Sequence, residues 1–79
     1  MAFPFGGHPT LGEYMVAARD AGFVCHSGVI GTEAVIEITS PDGYVFLPMG
    51  QKERLTPSMI DYLDRRLGWK SPFEGTTKY

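Results

Sequence analysis

The chain has 79 residues, 43% of them hydrophobic and 20% charged, which leaves room for one domain with one small core and excludes a disordered tail. A formal net charge of −2 argues against a binder held to nucleic acid by bulk positive charge, and a single cysteine, Cys25, excludes an internal disulfide. No apolar run reaches membrane-spanning length, and Met1 to Gly7 lacks the basic start and apolar centre of a signal peptide, so the expected location is cytoplasmic. Charge is unevenly spread. Residues 1–49 hold one base and five acids, whereas residues 50–79 hold six bases and four acids.

Residues 1–9 and 70–79 read as irregular extensions of a single domain spanning 1–79, with Phe3, Phe5, Phe73 and Tyr79 expected to patch the rims of the core. The first regular element starts at Thr10-Leu11-Gly12-Glu13, a capping-box pattern in which Thr10 and Glu13 each serve the other's backbone N–H. Leu11, Tyr14, Met15, Ala18 and Ala21 follow at helical spacing, and Gly22-Phe23 supplies a left-handed stop with an apolar residue behind it. The spacing predicts a helix over 11–21.

Beyond it the period changes to two. A short strand over 23–26 and a glycine-bearing loop over 27–32 are expected, then a strand over 33–39 with Ala34, Ile36 and Ile38 on one face. Ser40-Pro41-Asp42-Gly43 is strong turn chemistry, with proline presetting φ and glycine tolerating a positive one. Tyr44 to Leu47 is the return strand, stopped by Pro48. A second helix is punctuated by Thr56 as N-cap, Pro57 in the first turn, an apolar stripe of Met59, Ile60, Leu63 and Leu67, and Gly68 at its end. The order α-β-β-β-α defines an α+β two-layer sandwich, a three-stranded antiparallel sheet with two helices on one face.

This layout resembles the HicA family of toxins, small ribonucleases with a double-stranded-RNA-binding-like fold. The resemblance spans about residues 15–68 and rests on Ala21-Gly22-Phe23, on Pro41-Asp42-Gly43, on the apolar strand ending at Pro48, and on Lys52-Glu53-Arg54-Leu55 before the second helix. It implies the sandwich fold and cleavage of mRNA by a histidine that follows a Gly-Ser pair at the start of the second strand. At that place the chain has Gly31-Thr32-Glu33-Ala34, so the implied catalytic histidine has no counterpart.

The other chemical candidates are sparse. Cys25 and His26 are adjacent in a strand, so their side chains leave opposite faces and cannot share a proton. One cysteine and two histidines fall short of a zinc set, and no metal or cofactor is expected. Lys52, Arg54, Arg65, Arg66 and Lys70 form a basic grouping that suits a phosphate or an acidic partner. Glu53, Asp61 and Asp64 interleave with them, which favours a solvated, self-paired surface over an RNA site.

The hairpin carries the remaining signal. With Ile36 and Ile38 turned to the helices, Val35 and Glu37 fall on the open face, and aliphatic filling of the core would leave Tyr44 and Phe46 beside them. The expected partner-binding residues are therefore Val35, Glu37, Tyr44 and Phe46, with Lys52, Arg54, Arg65 and Arg66 as a charged edge. The favoured function is a small non-catalytic interaction module that binds and regulates or inhibits a macromolecular partner, most readily a protein. Anti-CRISPR proteins of mobile elements share its size and its lack of catalytic equipment. The alternatives are a HicA-type toxin ribonuclease with RNA as its partner, and a homodimeric structural protein that buries the hairpin face against itself.

Overall fold

Helix α1 (Leu11–Asp20) forms where the capping box stands: Thr10 N–H donates to Glu13 Oε1 at 2.7 Å, and Glu13 N–H donates to Thr10 Oγ1 at 3.1 Å. These contacts come from a computed structural model of the chain, which describes residues 8–73. The other first-turn donors also find acceptors. Leu11 N–H reaches Glu53 O and Gly12 N–H reaches Gln51 O, both at 2.8 Å, and Tyr14 N–H closes on Thr10 O at 3.1 Å. The helix therefore begins with no orphaned donor, and the segment before the second helix is pinned to it. At the other end Gly22 takes φ +91°, and the N–H groups of Gly22 and Phe23 return to Arg19 O and Ala18 O, the double bond of a Schellman stop.

The sheet follows as β1 (Val24–Ile30), β2 (Glu33–Ser40) and β3 (Gly43–Leu47), antiparallel throughout and in the order β1-β2-β3. Helix α2 (Pro57–Leu67) closes the chain order α-β-β-β-α, an α+β arrangement. Ile36, Ile38, Val45 and Leu47 of the sheet pack against Leu11, Tyr14, Met15 and Ala18 of α1 and Ile60, Leu63 and Leu67 of α2. Both helices thus share one face, and the alternate strand positions face away from them.

The strand β1 is longer than the sequence suggests. It runs through Ser27 and Gly28 to Ile30 and pairs with β2 without interruption, from Val24↔Thr39 to Ile30↔Glu33. The connection is only Gly31-Thr32, with Gly31 at φ +66°, the positive φ that a two-residue hairpin requires at its first central position. Pairing with β2 overrides the poor strand propensity of Ser27 and Gly28.

The second turn is held by packing. Ser40 Oγ donates to Leu67 O at 2.7 Å, docking the turn on the end of α2. Gly43 is not among the glycines with positive φ; its requirement is space, because a Cβ there would lie 1.7 Å from Arg66 O. At this same end of α2, Gly68 at φ +71° turns the chain back, and the Asp64 carbonyl accepts from both Gly68 and Trp69 N–H. Trp69 then packs edge-on against Phe23 and Tyr14, and Phe73 stacks on Tyr14 with ring centres 5.9 Å apart. Phe73 patches the core as expected, whereas Phe3, Phe5 and Tyr79 lie outside the described residues.

Under this aromatic cover lies a polar cluster. Tyr14 Oη donates to Asp64 Oδ1 at 2.5 Å, Trp69 Nε1 donates to Tyr14 Oη at 2.9 Å, and Ser71 donates to Asp64 Oδ2 from both its N–H and its hydroxyl. Burial first, and the hydrogen bond to Asp64 second, push the Tyr14 phenol far above its ordinary value.

These contacts set the stability cost of single substitutions. Tyr14→Phe should cost about 1.5–3 kcal/mol, the range for a hydrogen bond to a charged group, read as a lowered midpoint in urea unfolding. Because the folded-state pKa of Tyr14 lies above the unfolded one, its contribution is complete below about pH 10 and lost as pH rises further. Wild type should therefore lose more stability at alkaline pH than Tyr14→Phe; parallel pH profiles would refute the assignment. Gly43→Ala should cost about 3 kcal/mol or more, since backbone must move to admit the methyl group. Gly22→Ala, where nothing lies within 4 Å, should cost only the left-handed strain of about 1–2 kcal/mol.

Candidate functional site

Strand register decides which side chains share the open face of the sheet. Directly paired residues point the same way, so His26↔Glu37↔Phe46 and Val24↔Thr39↔Tyr44 form two rows across the three strands, and Gly28↔Val35 and Ile30↔Glu33 extend the face along the β1–β2 hairpin. Val45 and Leu47 are buried, whereas Tyr44 and Phe46 remain 46% and 44% exposed. Aliphatic side chains fill the core and the aromatic pair faces outward. The face also holds Val24 and Ile30, 52% and 62% exposed, so its apolar character runs from one edge of the sheet to the other.

The polar members of the face are arranged around Glu37. Tyr44 Oη donates to Glu37 Oε2 at 2.8 Å, and this bond, ahead of desolvation and of the carboxylate charge, raises the Tyr44 pKa. His26 stands opposite Glu37 on the other side. A carboxylate flanked by a phenol and an imidazole can accept a cation or a hydrogen-bond donor from a partner. Its surroundings are a strand surface with a shallow depression of about 210 Å³ beside it, bordered by His26, Val35, Glu37 and Phe46.

The eight residues singled out in the sequence do not form one surface. Val35, Glu37, Tyr44 and Phe46 share the open face. Arg65 and Arg66 belong to α2 in the layer behind the sheet, where Arg65 Nε contacts Asp61 Oδ2 at 3.2 Å in a solvated helix pair. Arg54 donates from Nη1 to the His8 carbonyl at 2.8 Å, and its backbone bridges to Thr10, so it fastens the entry to α1. Lys52 borders an open groove of about 580 Å³ between the β1–β2 hairpin and the segment at Gly50 and Gln51, lined by Val29, Ala34 and Ile36 and also by Val35, which is the one predicted open-face residue it approaches. Asp64, expected among the surface charges, is 8% exposed and belongs to the buried cluster.

Cys25 is half-buried, with Sγ 3.7 Å from the Met15 carbonyl, and burial raises its thiol pKa despite the nearby Arg19. His26 leaves the other face, as adjacent strand positions require. Among the described residues no group of three or more His, Cys, Asp or Glu is placed to hold a metal ion, and no helix is long and apolar enough to cross a membrane. The sequence obscures the share of β1 in the open face, since the serine and glycine at 27–28 suggest a loop over 27–32. The β-branched pair Val29-Ile30 ahead of Gly31-Thr32 was the available signal. Comparison with known protein families, with curated proteins and with solved structures finds no match to this chain.

Replacing the acceptor tests the polar centre of the face. Glu37→Gln should lower the Tyr44 pKa toward the ordinary value near 10, followed by NMR titration of ring resonances assigned with Tyr44→Phe. An unchanged Tyr44 titration would show that the bond is not formed in solution.

Proposed function

We propose that the protein is a small non-catalytic interaction module that binds and inhibits a protein partner through the open face of its sheet, in the manner of mobile-element anti-defence proteins such as anti-CRISPRs. One observation carries this reading: an apolar strip of Val24, Ile30, Val35, Tyr44 and Phe46 stands on a sheet face that neither helix covers. Extended apolar patches of this kind are uncommon on monomeric proteins and mark contact surfaces. Tyrosine and phenylalanine are the residue types enriched in interface cores, and the Tyr44–Glu37 pair supplies an oriented polar contact inside the strip.

A HicA-type ribonuclease is the competing reading, and the juxtaposition of His26 with Glu37 is what favours it. Acid–base cleavage needs two groups on either side of the scissile phosphate, in a site that holds the backbone. Among the described residues the open face offers the two groups without a basic side chain in their rows: Arg65 and Arg66 lie on α2, Arg54 is bonded to the His8 carbonyl, and Lys52 stands across the groove from Gly28 and Val35. Binding is the better match to this distribution.

The experiment is an affinity capture from the native host, comparing wild type with a Tyr44→Ala/Phe46→Glu double variant whose circular dichroism is unchanged. The wild-type chain should retain a protein that the variant loses. Recovery of the same proteins by both would remove the open face from consideration. RNA degradation by purified wild type, abolished by His26→Ala, would replace binding with the ribonuclease reading.

A further inference from the structure

The outer edge of β1 has no strand neighbour among the described residues, since the sheet order is β1-β2-β3 and β1 pairs with β2 alone. A free edge exposes a row of backbone donors and acceptors, and natural sheets guard it with lysine, proline, a bulge or a very short strand. None of these devices is present. The strand reads Val-Cys-His-Ser-Gly-Val-Ile over seven residues, and its pairing to β2 is unbroken. Val29 is 69% exposed and Ile30 62% exposed, and only Cys25 is partly covered, by α1.

We propose that this edge pairs with the same strand of a second copy, antiparallel about a two-fold axis at Ser27, to give a continuous six-stranded sheet from two three-stranded ones. Geometry narrows the register. A two-fold axis perpendicular to the sheet keeps both open faces on one side and must pass between the strands, midway between one residue and its own copy. Of the seven possible centres in Val24–Ile30, only Ser27 engages the whole strand. That register places Val24 opposite Ile30 and Cys25 opposite Val29, apolar on apolar. It places His26 opposite Gly28, where no side chain competes for room, and the two small Ser27 side chains on the axis. No acidic or basic pair of like sign meets directly across the junction, which is the condition a self-complementary edge must satisfy.

The pairing also covers what each copy leaves bare. Val29 lies on the helix side of the hairpin, opposite Ala34, beyond the reach of α1. Cys25 lies beside α1, with Sγ close to the Met15 carbonyl. Setting Val29 of one copy against Cys25 of the other brings it to the margin of that copy's α1, so apolar surface exposed in the monomer gains a neighbour. Ile30 is matched with Val24 on the open face in the same way.

Mass in solution tests the proposal directly. Sedimentation equilibrium at micromolar concentration should give twice the 8.7 kDa chain mass, and Val29→Lys, which places a charge on the edge without touching the core, should return the mass to that of one chain. In a Cys25→Ala background, Ser27→Cys should form an intermolecular disulfide on mild oxidation, whereas Thr39→Cys, on the open face away from the axis, should not. A monomeric mass for wild type overturns the proposal, whatever else binds the edge. A dimer that survives Val29→Lys and is dissolved by Phe46→Glu overturns it too, because the contact would then be the open face. Since capture of a partner by the open face is a separate measurement, either result can fail without the other.

Discussion

The buried carboxylate of Asp64 is the constraint around which the helical layer is assembled. A carboxylate taken out of water costs several kcal/mol unless its lone pairs are occupied, and here one oxygen receives the Tyr14 hydroxyl and the other receives two donors from Ser71. Those donors come from α1, fifty residues away in sequence, and from the chain just beyond α2, so the two helices and the returning segment must meet at one point. Trp69 extends the network by donating to the oxygen of Tyr14, and it packs on Phe23. Among the described residues no buried side-chain nitrogen or oxygen lacks a hydrogen-bond partner. A cluster with both carboxylate oxygens engaged and Phe73 stacked over it holds structure together and is closed to substrate.

This concentration of order on one side leaves the other face of the sheet uncovered among the described residues. Small domains ordinarily recruit every apolar surface they have. Here the helices, the returning residues Trp69 and Phe73, and the segment at Leu55 are all spent on one face of the sheet. The turn at Ser40 to Gly43 is fixed to the end of α2 by the Ser40–Leu67 bond and by contact without a Cβ, which holds β3 rigidly in its register with β2. Tyr44 and Phe46 are therefore presented by a strand that cannot rotate to hide them. An interface built on such a strand loses little side-chain or backbone entropy on binding.

The parts of this fold legible in the sequence are those set by local chemistry. Thr10 with Glu13, Gly22 with Phe23, Thr56 with Pro57, and Gly68 each act within a few residues, and each sits at the helix end its type implies. The exposure of Tyr44 and Phe46 was legible too: alternation leaves two sets for the return strand, Tyr44/Phe46 and Val45/Leu47, and the preference of a core for aliphatic side chains selects the second. Asp64 was not. Read as one acid among Glu53 and Asp61, it dilutes a basic grouping. Yet Ile60, Leu63, Asp64 and Leu67 occupy one helical face, and that spacing was the clue to burial. The length of β1 was hidden for a similar reason: Ser27 and Gly28 have no strand preference of their own, and only their partners in β2, Ile36 and Val35, hold them extended.

The two edges of the sheet are unequal, and the inequality bears on what the protein can build. β3 is five residues long, begins at a glycine pressed against the α2 backbone, and is ended by Pro48, which has no N–H to offer a neighbour. β1 is longer and has none of these stops. A sheet open at both edges can add chains without limit, which is the route to fibres. A sheet open at one edge can pair only once when that edge meets its own copy, because isologous contact consumes the surface on both sides. The same geometry keeps the open faces coplanar, so that Val24, Ile30 and their counterparts join two copies of the Tyr44–Glu37–Phe46 surface into one continuous face. A partner that met this face would meet it twice, related by the axis at Ser27, and a symmetric or repetitive target would then be held by two copies of a contact that is small when taken alone.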